Sequence, residues 1–164
     1  MSAIPANILA LNALAFPQSA LVKDLSVREI VQYALPNKYW CQFLEQFEVN
    51  SDIAGRFWVP KGFLSDGASI PKWMWNVLDP CDPEILFPSY AHDYLYAMCG
   101  QLAGTQLTKD QCDRVIRELM LKCGAPRWKA NGVYAGLNVG GGKAWRQAEA
   151  ELRKPNPQKL AYVG

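Results

Sequence analysis

The stretch Ser89-Tyr90-Ala91-His92-Asp93-Tyr94-Leu95-Tyr96-Ala97-Met98-Cys99-Gly100 decides the fold. Upstream of it, over residues 29–63, β-branched and aromatic residues come in short runs: Ile30-Val31-Gln32-Tyr33, Tyr39-Trp40-Cys41-Gln42-Phe43-Leu44, Phe47-Glu48-Val49 and Arg56-Phe57-Trp58-Val59-Pro60. Pro36-Asn37 and Asn50-Ser51-Asp52 separate them, the pattern of a small antiparallel sheet or meander. From Ser89 onward the breakers move apart and apolar residues recur at three and four, which is helical spacing. Strands first and helices after predict an α+β fold, a small antiparallel sheet packed with a C-terminal helical part that contains a helix hairpin. The first helix is expected to begin near Ser89, after Pro88, and to stop at Gly100. His92 and Tyr96 then lie four apart on one face with Asp93 beside them.

A second helix follows. Thr108-Lys109-Asp110-Gln111 fits a capping box, Val115, Ile116, Leu119, Met120 and Cys123 give one apolar face, and Gly124-Ala125-Pro126 ends the run. Asp113 sits at the edge of that face, near Ile116, Arg117 and Met120 by helical spacing, so its carboxylate can reach a facing helix. A hairpin closed by residues 100–107 would bring Asp113 to His92.

Composition narrows the class. A chain of 164 residues, half apolar and one fifth charged, has room for one ordinary core. A net charge of +2 without a dense Lys/Arg cluster argues against a nucleic-acid partner. Five cysteines (Cys41, Cys81, Cys99, Cys112 and Cys123) make an odd number with no CxxC pair, and they read as mostly reduced core thiols, though spacing leaves one bridge open. Residues 1–20 carry apolar side chains and no charge. The missing cationic start argues against a secretory signal, and Pro5, Asn7, Asn12 and Pro17 argue against a membrane span. Residues 1–22 are therefore expected to form an apolar arm that lies on its own domain or docks on another subunit. Residues 23–154 form a single domain, and residues 155–164 a loose tail.

His92 is the only histidine, so phosphohydrolase or zinc sites that need several imidazoles are excluded. A hard cation such as calcium stays allowed, with oxygens from Asp93 and the Asp66-Gly67 turn. A lone imidazole oriented by a buried carboxylate can act as general base to water, which points to His92 with Asp113. Ser69 as a nucleophile activated by His92 is the lesser variant, since no G-x-S-x-G elbow surrounds it. The dyad reading requires Asp113 within hydrogen-bond reach of one His92 nitrogen while the other faces an open cleft.

The string from Val59 to Pro71, Val-Pro-Lys-Gly-Phe-Leu-Ser-Asp-Gly-Ala-Ser-Ile-Pro, followed by His92-Asp93-Tyr94-Leu95-Tyr96 and a helical Asp113, resembles an uncharacterised family of phages and prophages with the pattern VPxGFxTDxASxP then HDYLY. That resemblance implies a phage origin, often among tail and lysis genes. Asp66-Gly67-Ala68-Ser69, His92-Asp93-x-x-Tyr96 and Cys112-Asp113-Arg114 are also similar to the phospholipase A2 pattern. The second resemblance implies His92 as base to water, Asp113 as its orienter, Tyr96 in support, and calcium held by Asp93 with Asp66 and Gly67 of the loop. The chain departs from the animal enzymes at Pro88, Ser89 and Leu95, where those carry disulfided cysteines, and its loop has the single glycine Gly67.

The same residues admit a plainer account. Asp66-Gly67-Ala68-Ser69-Ile70-Pro71 makes a tight turn under either reading, and Asp93 can accept from its amides without any metal. Trp73, Trp75 and Phe87 fit a core as well as a lipid or partner surface. Gly140-Gly141-Gly142-Lys143 lacks the Walker spacing and fits a turn between helices. The expectation is a virion (tail)-associated phage protein carrying a phospholipase A2-like ester-hydrolase site. It would be made in the host cytoplasm, partnered by other phage structural proteins through the arm, and directed at host-envelope lipid. The alternative is a non-catalytic tail or assembly protein whose His-Asp turn is structural.

Overall fold

The structure is a computed structural model that describes residues 22–24, 41–65, 67, 78–79 and 82–153. The Ile30–Tyr33 run, Asp66, Ser69, Trp73, Trp75, the arm up to residue 21 and the tail after residue 154 lie outside the described residues. Within them the chain is α+β, with short antiparallel strands before a run of helices.

The strands do not form one meander. β1 (Val22–Asp24), β2 (Cys41–Phe43) and β5 (Leu64–Ser65) make one antiparallel sheet in the order β1-β2-β5, while β3 (Phe47–Ser51) and β4 (Gly55–Val59) make a separate hairpin. Alternation sets the faces of that hairpin. Phe47, Val49, Phe57 and Val59 are buried, whereas Arg56 and Trp58 point outward. The turn is held from a distance: Glu118 accepts from Ser51 Oγ at 2.8 Å and from the Asp52 amide at 2.7 Å.

The first described helix, α1 (Pro83–Ala97), starts six residues before the expected Ser89. Pro83 stands in its first turn, where a missing N–H costs nothing, and Pro88 is carried inside the helix. Pro88 therefore does not mark the boundary. No residue of α1 is exposed, because helix α2 (Lys109–Lys122) packs along it and the strand residues Phe43 and Phe57 pack on Tyr90 and Tyr94. The connection between these helices is more than a loop: β6 (Gln101–Leu102) and β7 (Thr105–Gln106) form a second hairpin there.

α2 begins with the expected capping box. Thr108 Oγ1 accepts from the Gln111 amide, and the Gln111 side chain accepts from the Thr108 amide. Its buried stripe of Val115, Ile116, Leu119 and Met120 divides two cores. Val115 and Leu119 join Phe43, Phe47, Tyr90 and Leu95, while Ile116 and Met120 join Leu78, Ile85 and Ala130. α3 (Arg127–Gly140) and α4 (Gly142–Leu152) follow, with Gly141 the only residue between them, so the triple glycine is a helix-to-helix joint. Cys99, Cys112 and Cys123 are buried as thiols. Among the described residues no helix is long and apolar enough to cross a membrane.

Candidate active site

α1 and α2 pack side by side, and their facing sides bring together three residues singled out from sequence. His92 Nε2 lies 3.1 Å from Asp113 Oδ1, and Tyr96 Oη donates to the same oxygen at 2.6 Å. The second carboxylate oxygen, Oδ2, accepts from Lys109 Nζ at 2.6 Å, and Lys109 also donates to the Leu137 carbonyl of α3 at 3.0 Å. Both i,i+4 pairs, His92 with Tyr96 and Lys109 with Asp113, follow from helical geometry. Tyr96 is packed in turn against the His92 ring, with centroids 4.1 Å apart, and edge-on to Trp145 of α4. A Cβ at Gly141 would come 2.6 Å from Tyr96 Oη, so only glycine lets the α3–α4 joint close over this hydroxyl.

The electrostatics follow from burial against pairing. Asp113 is wholly enclosed. Burial pushes its carboxyl up, but the hydrogen bonds from His92, Lys109 and Tyr96 outweigh that and hold it below the usual carboxylate range. A carboxylate only accepts, so His92 carries its proton on Nε2, and this tautomer is fixed by the network. Burial holds the imidazole below its ordinary value, with the Asp113 hydrogen bond and charge pulling the other way, so His92 is neutral at pH 7. Tyr96 is pushed far up, first by burial and then by its hydrogen bond to Asp113, and stays a hydroxyl.

Nδ1 of His92 therefore holds a lone pair, and it has no hydrogen-bond partner among the described residues. The His92 side chain keeps 6% of its surface and Asp113 keeps none. A cleft of about 650 Å³ lies elsewhere, lined by Tyr94 on another side of α1 and by β4. The first half of the expected dyad geometry is present, whereas an open cleft at His92 is not among the described features.

The loop residues are arranged differently from the helix residues. Asp93 Oδ2 accepts from Ser65 Oγ at 2.5 Å, and the Gly67 amide donates to that same Ser65 oxygen at 2.9 Å. Ser65 thus ties the end of β5 to α1, with Gly67 at φ +69° against Leu86. Asp93 and Gly67 meet through a serine hydroxyl, and Asp66 lies outside the described residues. Among the described residues no group of three or more His, Cys, Asp or Glu side chains is placed to hold a metal. Two members of this region were not evident in the sequence as site residues. Lys109 reads as a capping-box position although its i,i+4 spacing to Asp113 was available, and Ser65 has no local signal.

His92, Asp113, Tyr96, Lys109, Ser65 and Asp93 fall inside a segment, residues 41–137, that matches the family described as Protein of unknown function (DUF1353). The chain belongs to this family. The DUF1353 segment runs from β2 into α3, ending at residue 137, and holds the complete His92–Asp113–Tyr96–Lys109 cluster, while Trp145, which packs on Tyr96, lies beyond it. No curated protein and no solved structure matches the DUF1353 chain.

Proposed function

We propose that this chain is a phage-borne protein of the virion tail whose His92–Asp113 pair is a phospholipase A2-like dyad for ester hydrolysis, directed at lipid esters of the host envelope. One observation carries the reading: Asp113 binds His92 through Nε2, with Tyr96 on the same carboxylate, and the opposite ring nitrogen is left with its lone pair. In such a dyad Nδ1 takes a proton from water as the water oxygen attacks the ester carbonyl. Asp113 stabilises the imidazolium, and the proton passes to the leaving alkoxide as the tetrahedral intermediate collapses. The uncharged N-terminal arm is the segment by which the protein joins other tail proteins. Calcium in the loop near Asp93 is a variant of this reading.

A second reading has its own observation. The near-complete enclosure of His92 and the neutralisation of Asp113 by Lys109 favour a structural role, in which the network pins α1, α2 and α3 together in an assembly protein.

Hydrolysis of a phospholipid in mixed micelles, with calcium and with a chelator, separates the two. Wild type is expected to turn over substrate, His92→Ala to lose turnover, and Asp113→Asn to lose about 10²-fold or more at matched folded fraction. Wild-type protein inert in both arms, with His92→Ala phage losing infectivity, would establish the structural role instead. Dependence on the chelator decides the calcium variant.

A further inference from the structure

β3 and β4 form a sheet of two strands, so one edge of β4 has no neighbouring strand among the described residues. Alternate residues of an antiparallel strand turn their N–H and C=O away from the partner strand. For Gly55 to Trp58 these outward groups make no hydrogen bond to any described residue, since the only bonds of this segment are those to β3 and the Arg56–Glu48 pair. Exposed strand edges are usually short, covered or guarded by charge or proline; this one is five residues long, has no proline, and its single charge, Arg56, is paired with Glu48 of β3.

The edge opens onto the cleft of about 650 Å³. Four consecutive residues of β4, Gly55 to Trp58, line one side, which is what a groove running along a strand edge produces. Met98 and Leu102 supply the opposite wall, with Tyr94 stacked on Phe57 at 6.2 Å between centroids as the floor. Trp58 is half exposed at the rim. Arg56 is the one charged residue of the lining and stands largely in solvent, with only Glu48 of β3 against its Nε.

We propose that this edge is a docking site for an extended peptide segment of a partner protein, added to β4 as a third strand. The main-chain bonds to β4 give the binding its geometry. The segment carries an apolar side chain into the Phe57–Tyr94–Met98–Leu102 groove and an acidic one toward Arg56. With a rise of about 3.3 Å per residue, a partner strand of five or six residues fills the edge. The site is separate from the His92–Asp113 network and holds whether or not that network is catalytic.

The test uses a fluorescein-labelled peptide of alternating valine and aspartate, and a twin N-methylated at every amide, which has no N–H to donate from either edge and cannot add as a strand. The isotope-labelled full chain is expected to bind the first saturably, with amide shifts concentrated at Arg56 to Trp58 and at Leu102 to Thr105, and not to bind the twin. Ala103→Glu, at an exposed turn position, is expected to weaken binding about tenfold by like charge without altering the fold. Equal binding of the twin, shifts elsewhere or no saturable binding overturns the proposal. So do β4 edge amides already protected from exchange without peptide, since a second copy or the chain's own residues would then hold the edge.

Discussion

At Asp113 three donors from three residues share two oxygens, and the residue has no solvent contact. A carboxylate so placed is stable only while its cation and hydroxyl stay in position, because removing one partner leaves the other's charge buried. Asp113→Asn is expected to cost about 3 kcal/mol in urea unfolding, since it strands the Lys109 ammonium beside the Leu137 carbonyl. Adding Lys109→Met to that variant should recover part of the loss, so the double change costs less than the sum of the singles. Strict additivity would mean that Lys109 and Asp113 do not act as a pair. His92, Tyr96 and Asp113 were legible in the sequence because their relation needs only two helices and i,i+4 spacing. Lys109 was hidden by its other role at the start of α2, and the Ser65–Asp93 bond joins residues 28 apart through a turn that no periodicity encodes.

Element boundaries show where local signals compete. α1 runs through Pro88 because its first turn is set by Pro83, so the proline nearest the histidine was the wrong marker. α2 was legible in full, as its capping box and apolar stripe agree. The β6–β7 hairpin between these helices went unseen because its strands are two residues each, too short for alternation to register. Gly100, just before this hairpin, and Gly104, in its turn, both have positive φ but different surroundings. At Gly100 (φ +73°) an added Cβ would stand 2.1 Å from the Leu107 carbonyl oxygen, whereas at Gly104 (φ +79°) it would meet nothing within 4 Å. Gly104→Ala is therefore expected to cost about 1 kcal/mol, the dihedral alone. Gly100→Ala should cost about 3 kcal/mol, because backbone must also move. Matched denaturation midpoints for the two variants would show that the hairpin tolerates the shift. A further local test is Thr108→Ala, expected to cost about 1 kcal/mol through loss of the α2 cap.

Across the whole molecule, α+β order was legible because the change of spacing at residue 89 is large, but the division of the strands into separate small sheets was not. That division depends on which faces α1 and α2 cover, a tertiary fact. The same packing gives the molecule its response to acid. His92 is held below its ordinary 6.5 first by burial, against the pull of Asp113. Asp113 is below 3.8 because its three hydrogen bonds outweigh burial. In both cases the unfolded chain binds a proton at a pH where the folded chain does not, so stability rises with pH through each window. The His92 contribution is complete above the unfolded value of 6.5 and declines as pH falls from there toward the lowered folded value. The Asp113 contribution declines separately below 3.8. Urea midpoints measured from about pH 7.5 down to about pH 5 should fall for wild type and stay flatter for His92→Gln, which has no proton to exchange in that range. A wild-type midpoint that rises on acidification would mean that folding raises the imidazole's affinity for its proton. His92 would then stand as an imidazolium against Asp113, with Nδ1 protonated and unable to accept a proton from water.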